Sequence, residues 1–201
     1  MCALFGFLAD IERPKNILDK MSSALLHRGP DDQGRYIDGR VGLGHNRLSI
    51  IDLSLAGHQP MVLEQEGLVL VFNGEIFNYK ELRQELSDES FFSETDTEVL
   101  LRGFKVWGKE CLQRINGMFA FAIWDRNKKE LFLARDRFGI KPLYYSRKSE
   151  GFYFASEPKG LFAAGVERRD NLIAWSTYLS FGTYEHSNYT FFDDVCQLRP
   201  G

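Results

Sequence analysis

The feature that most restricts the architecture is a pair of apolar runs, residues 118–124 and 130–134, separated by the polar stretch Asp125-Arg126-Asn127-Lys128-Lys129. Two strands joined by so short a turn must close on each other antiparallel, because a parallel return needs a crossover of about a dozen residues or more. Residues 68–72 (LVLVF) form another continuous apolar run, the pattern of a strand covered on both faces, and the turn-prone Asn73-Gly74-Glu75 is expected to end it. Further strands are expected over residues 4–8, 41–45 and 152–155. Pro14 opens a helix with Ile17, Leu18, Met21, Ala24 and Leu25 on one face, and His27-Arg28-Gly29-Pro30 stops it ahead of a loop over 29–34. Polar residues interrupt the apolar ones over 46–52, as at a strand end. Thr95-Asp96-Thr97-Glu98 has capping-box spacing, so a helix should start near Thr95 with Asp96 in its first turn. Strands and helices do not alternate regularly, which points to α+β layers rather than a doubly wound sheet.

At 201 residues one domain is expected. A net charge of −3 with scattered Lys and Arg offers no field for nucleic acid. No apolar run approaches the ~20 residues of a bilayer span, and the opening MCALFGFLAD lacks the basic flank of a signal peptide, so no membrane association and a cytoplasmic location are expected. Cys2, Cys111 and Cys196 are odd in number, far apart and read as reduced thiols without metal or disulfide spacing. His27, His45, His58 and His186 form no metal-spaced cluster and read as hydrogen-bonded loop or core residues.

Cys2 is the exception among the thiols. A penultimate Cys is small enough for an aminopeptidase to remove Met1, giving Cys2 a free α-amino group. That amine has a reference pKa of about 7.7 to 8.0 against ~8.5 for a free thiol, so one can act as base for the other without a histidine.

Several stretches together resemble the class II glutamine amidotransferases, and within them the N-terminal domain of glutamine-hydrolysing asparagine synthetase. They are the opening MCALFG, His27-Arg28-Gly29-Pro30-Asp31-Asp32, residues 45–52, Phe72-Asn73-Gly74-Glu75-Ile76-Phe77-Asn78-Tyr79, Asp96-Thr97-Glu98-Val99 and ARDRFGIKPLYY at 134–145. The resemblance runs to Thr190-Phe191-Phe192 and Leu198-Arg199-Pro200-Gly201, essentially the whole chain. It implies an N-terminal-nucleophile fold, a four-layer αββα sandwich of two mainly antiparallel sheets.

It also implies roles. Cys2 would be the nucleophile, and Asn73 with the Gly74 N–H would form an oxyanion hole. Arg47, flanked by Leu48 and Ile50, would hold the α-carboxylate of glutamine with its planar guanidinium. Asp96 and Glu75 would receive the α-ammonium group, although Asp96 on its own reads as a helix-terminus acid. Arg135, Asp136, Arg137 and Lys141 read as framework or domain-interface charges. Ala3 and Phe77 depart from the usual Gly and Tyr, and the Ala3 methyl is expected to crowd the backbone or the substrate.

The ammonia would serve a C-terminal synthetase domain, in the same chain or in trans. That domain's Ser-Gly-Gly-x-Asp-Ser loop is not in this sequence, so the chain reads as an excised or shortened domain unable to make asparagine itself. No cofactor is expected here, ATP and Mg belonging to the synthetase domain; a homodimer and the identity of the acceptor stay open. The rival readings are a catalytically silent interaction module, favoured by a retained Met1, an amidotransferase feeding a phosphoribosyl or sugar acceptor, and an amide hydrolase of the same fold.

Overall fold

In the computed structural model, which describes residues 1–50, 54–183 and 188–201, the strands form two sheets. In chain order the elements are β1 (Ala3–Ala9), α1 (Pro14–Ala24), β2 (Asp32–Asp38), β3 (Val41–Arg47), β4 (Met61–Leu63), β5 (Leu68–Ile76), α2 (Tyr79–Glu85), α3 (Asp96–Trp107), α4 (Cys111–Arg114), β6 (Gly117–Asp125), β7 (Glu130–Arg135), β8 (Tyr144–Lys148), β9 (Gly151–Ala155), α5 (Pro158–Ala163), α6 (Leu172–Phe181) and β10 (Cys196–Gln197). The first sheet has the order β10-β8-β9-β1-β3-β2 and the second β4-β5-β6-β7. Every pairing between neighbouring strands is antiparallel.

The period of two along each strand builds the layers. On β1, Ala3, Phe5, Phe7 and Ala9 face Leu18, Met21 and Leu25 of the α1 region and Leu161 of α5. Leu4 points the other way, into a middle layer with Val41 and Leu43 of β3, Val69 and Val71 of β5, and Ala120, Ala122 and Trp124 of β6. The opposite faces of β5 and β6, bearing Leu70, Phe72, Phe119, Phe121 and Ile123, pack on Val99, Leu100, Leu101 and Phe104 of α3. Three apolar layers therefore separate four layers of structure, αββα. Each fully buried Leu or Phe contributes roughly 1.5–3 kcal/mol to holding them together.

The expected hairpin closes as β6 and β7, with Asp125 opposite Glu130. The expected cap forms at Thr95, whose Oγ1 accepts from the Glu98 N–H at 3.2 Å, a contact worth about 1 kcal/mol. The reciprocal half of the box does not form. The Glu98 carboxylate instead accepts from the N–H groups of Phe92 and Ser93 and from Arg102, bracing the loop ahead of α3.

Two expectations are corrected. Residues 73–75 do not end the strand: β5 runs on to Ile76, with Asn73 opposite Ala120 and Gly74 opposite Phe119. The loop expected over 29–34 already contains the start of β2, an edge strand of mixed polarity. The expected strand end over 46–52 is described only to residue 50; Ile51 and Asp52, like His186, lie outside the described residues. Among the described residues, no helix is long and apolar enough to cross a membrane.

Candidate active site

Cys2 enters β1 from the N-terminus, and its sulfur lies 3.3 Å from the N–H of Leu48, which donates to it. The S–H in turn faces the Leu48 carbonyl at 3.6 Å. Burial pushes the Cys2 thiol above its usual range; the Leu48 N–H, the terminal ammonium, Arg47 and Arg28 pull against it. A thiol with a raised pKa stays protonated at neutral pH and needs a base to attack. Met1 lines the same pocket, and while it is attached the Cys2 nitrogen is a peptide amide that cannot take a proton.

Strand β5 supplies further lining of the same pocket through Phe72, Asn73, Gly74 and Glu75. In the middle strand β6, the N–H of Phe119 donates to Asp136 Oδ2 and its C=O accepts from the Asp136 N–H, both on the β7 side. Gly74 therefore stands opposite Phe119 as a pair without mutual hydrogen bonds, and its N–H points to the open side of β5. Phe72 and Ile76 share that orientation: the Phe72 N–H donates to Gln59 Oε1 at 2.6 Å and the Ile76 N–H to Asp96 Oδ2 at 3.0 Å. Gly74 sits between them. A Cβ at Gly74 would run into the Met118 carbonyl and the Phe119 Cα, so close strand approach, rather than a turn, calls for glycine here. Beside it the Asn73 side chain is 2% exposed, and its Nδ2 is buried without a hydrogen-bond partner among the described residues.

Asp96, the first residue of α3, is 4% exposed. Burial raises its carboxyl pKa to about 6, with the charge of Glu75 adding to the rise and the N–H groups of Ile76 and Thr97 opposing it. Arg47, at the end of β3, is buried and donates to the Ser54 carbonyl at 2.9 Å. Gly57 passes so close to its guanidinium that a Cβ there would collide with it.

All eight sequence-chosen residues, Cys2, Arg47, Leu48, Ile50, Asn73, Gly74, Glu75 and Asp96, line one open pocket with about 660 Å³ of empty space, its mouth included. An anionic carboxylate, a guanidinium, unsatisfied N–H donors and a thiol converge on it, a set that can hold a zwitterion and receive a developing oxyanion. Among the described residues no cluster of His, Cys, Asp or Glu could hold a metal ion.

The pocket also has residues the sequence did not single out as binding: Gln59, Thr95, Thr97, Met118 and Lys141. Lys141, read from the sequence as a framework or domain-interface charge, is also one of the residues lining the pocket. The other ARDRFGIKPLYY charges are framework. Asp136 accepts from the N–H groups of Phe119, Phe138, Ile140 and Lys141, and Arg135 donates to the carbonyls of Lys141, Gly139 and Leu198. The HRGPDD stretch holds the site from behind. Arg28 donates through Nε to the Cys2 carbonyl at 3.0 Å and pairs with Glu157 at 2.8 Å. The Asp31 N–H donates to the Arg47 carbonyl, and Asp31 Oδ2 accepts from the Ser49 N–H. The Ala3 methyl faces the α1 layer instead of the pocket, and Phe77 is exposed.

With this geometry in place, comparison with known proteins is informative. A family described as the glutamine amidotransferase domain matches residues 1–201. An asparagine synthetase [glutamine-hydrolyzing] 1 of Bacillus subtilis is 42% identical over 188 residues, covering 90% of this chain and 30% of that protein. An amidase, chry2, of Gibberella zeae is 38% identical over 194 residues, covering 93% of this chain and 28% of that protein. The chain thus spans about three tenths of the length of these two relatives. Among solved structures, a glutamine phosphoribosylpyrophosphate amidotransferase from B. subtilis shares the fold at a TM-score of 0.71 and 23% identity, over 82% of this chain and 44% of that one.

Proposed function

The chain belongs to the glutamine amidotransferase domain family, and on that premise we propose that it hydrolyses glutamine to glutamate and ammonia through a γ-glutamyl thioester on Cys2. The observation that carries the reading is the orphaned Asn73 Nδ2 beside the outward Gly74 N–H, in the same pocket that Cys2 lines. A buried donor without a partner costs stability, and a ligand oxygen is what it lacks.

Once Met1 is removed, the α-amino group of Cys2 takes the thiol proton as the sulfur attacks the side-chain amide carbon. The carbonyl oxygen becomes an oxyanion held by Asn73 Nδ2 and the Gly74 N–H. The tetrahedral centre collapses, the C–N bond breaks, and the amine returns its proton so that ammonia leaves. Water, deprotonated by the same amine, then cleaves the thioester and restores the thiol. Arg47 receives the substrate's α-carboxylate, with Leu48 and Ile50 beside it, and Asp96 with Glu75 receives the α-ammonium. These contacts select a free amino acid over a peptide.

The fate of the ammonia is the coarser part of the proposal: transfer to a carboxylate-amidating synthetase domain, with ATP and Mg used there. Two observations support a further partner surface. The relatives are much longer than this chain, and α6 leaves the large apolar side chains of Leu172, Ile173, Leu179 and Phe181 exposed around its circumference, as is found at interfaces. The differing names of the relatives leave the acceptor open.

The test is glutamate release from glutamine by the purified chain. Asp96 binds an ammonium group only as a carboxylate, and its pKa near 6 places the loss in an accessible range. Protonation of the Cys2 amine already lowers kcat/KM about tenfold per pH unit below its own pKa, and Asp96 should steepen that fall by a further tenfold per unit below about 6. A chain that binds glutamine and releases no glutamate at any pH is the silent module instead.

A further inference from the structure

Among the described residues no strand lies beside the open side of β5 at Phe72, because β4 pairs only as far as Met61 opposite Leu70. Side chains from elsewhere do the work of the missing strand. Gln59 Oε1 takes the Phe72 N–H, and His45 Nε2, from β3 in the other sheet, lies 2.9 Å from the Phe72 carbonyl. A carbonyl only accepts, so the imidazole must carry its proton on Nε2. His45 is 0% exposed, and burial lowers its pKa to about 4, which keeps the ring neutral and that tautomer in place around neutral pH. Its Nδ1 is then a buried acceptor with no partner among the described residues. An apolar residue would fill this space without stranding a nitrogen, so what the histidine supplies is the single N–H directed at Phe72.

The Phe72 carbonyl belongs to the peptide unit that leads into Asn73, and Gly74 follows. We propose that His45, together with Gln59, is a positioning residue for the oxyanion donors: the two clamp the unpaired edge of β5 so that Asn73 Nδ2 and the Gly74 N–H stay aimed at the substrate carbonyl. This rests on the glutaminase reading and adds to it a pair of residues that act through the backbone of β5, Gln59 lining the pocket as well. It also gives the sheet-to-sheet contact a function, since His45 on β3, next to the strand following Cys2, ties the nucleophile's sheet to the donors' sheet.

The experiment compares the Met1-processed parent with His45→Leu, His45→Gln and Gln59→Leu, measuring kcat and KM for glutamine and the rate of Cys2 alkylation by iodoacetamide. Alkylation is displacement at a saturated carbon and builds no oxyanion, so it reports an intact, accessible thiol without using the donors. His45→Leu should lose roughly 10- to 100-fold in kcat, with KM and the alkylation rate close to those of the parent. His45→Gln, whose amide can reach the same carbonyl, should recover most of the loss, and Gln59→Leu should show the same split as His45→Leu. The proposal is overturned by a His45→Leu kcat equal to the parent's, by a glutamine variant as poor as the leucine one, or by alkylation falling in proportion to kcat. A parent that alkylates at Cys2 yet makes no glutamate sinks the glutaminase reading first and this one with it; an active parent with an indifferent His45→Leu sinks only this one.

Discussion

Cys2→Ala should release no measurable glutamate from glutamine, a loss of at least about 10⁴-fold for a reaction deprived of its nucleophile, while Cys111→Ala stays active. The contrast follows from where the sulfurs lie. Cys2 opens onto the pocket with Arg47, Asn73 and Asp96. Cys111 is buried in the layer between α3 and the second sheet, and burial pushes its thiol pKa up to about 12, which leaves it inert. Cys196 sits in β10 at the far edge of the first sheet and is absent from the pocket lining. The measurement is coupled detection of glutamate with the three proteins at equal concentration. Activity surviving in Cys2→Ala would remove the mechanism.

Asn73→Ala should lower kcat by roughly 10² to 10³, the loss seen when one oxyanion donor is deleted from an acyl-transfer site. KM for glutamine should change little, because the interaction is made in the transition state and the ground-state carbonyl needs it less. The substitution should also leave the fold intact or slightly stabilised: Asn73 Nδ2 has no partner to lose among the described residues, and relieving a buried unsatisfied donor is worth about 1–3 kcal/mol. Steady-state kinetics alongside thermal unfolding checks both halves. A KM that rises as much as kcat falls would make Asn73 a binding residue instead of an oxyanion donor.

Much of this site was legible in the sequence because its members sit where local rules are strong. Thr95 caps a helix by a contact three residues long, which places Asp96 at the helix start whatever the rest of the chain does. The β6–β7 hairpin follows from two apolar runs and a polar turn. Asn73-Gly74 was misread for an instructive reason: the dipeptide's turn preference is local, and nine register pairs between β5 and β6 override it. Glycine is needed there because two strands pass close, which only the neighbouring strand reveals. Contacts between distant segments were equally hidden. Arg28 reaches the Cys2 carbonyl across 26 residues and His45 reaches Phe72 across 27. Nothing in the composition of either neighbourhood announces those pairings. Lys141 was read together with Arg135, Asp136 and Arg137 as a framework or domain-interface charge, and nothing local in the sequence announced that it lines the pocket.

The Ala3 methyl shows the opposite case, where period-two reasoning could have decided the matter. Residues 3, 5 and 7 share a face, and Phe5 and Phe7 are core residues against α1, so the methyl beside the nucleophile was bound to face away from the substrate side.

The most direct measurement is intact and peptide mass of the chain, acid-quenched during turnover of glutamine. The account predicts a chain lacking Met1, a fraction of which carries a γ-glutamyl group on the peptide that begins with Cys2. An adduct on Cys111 or Cys196, or steady glutamate production by a chain that still carries Met1, would contradict it.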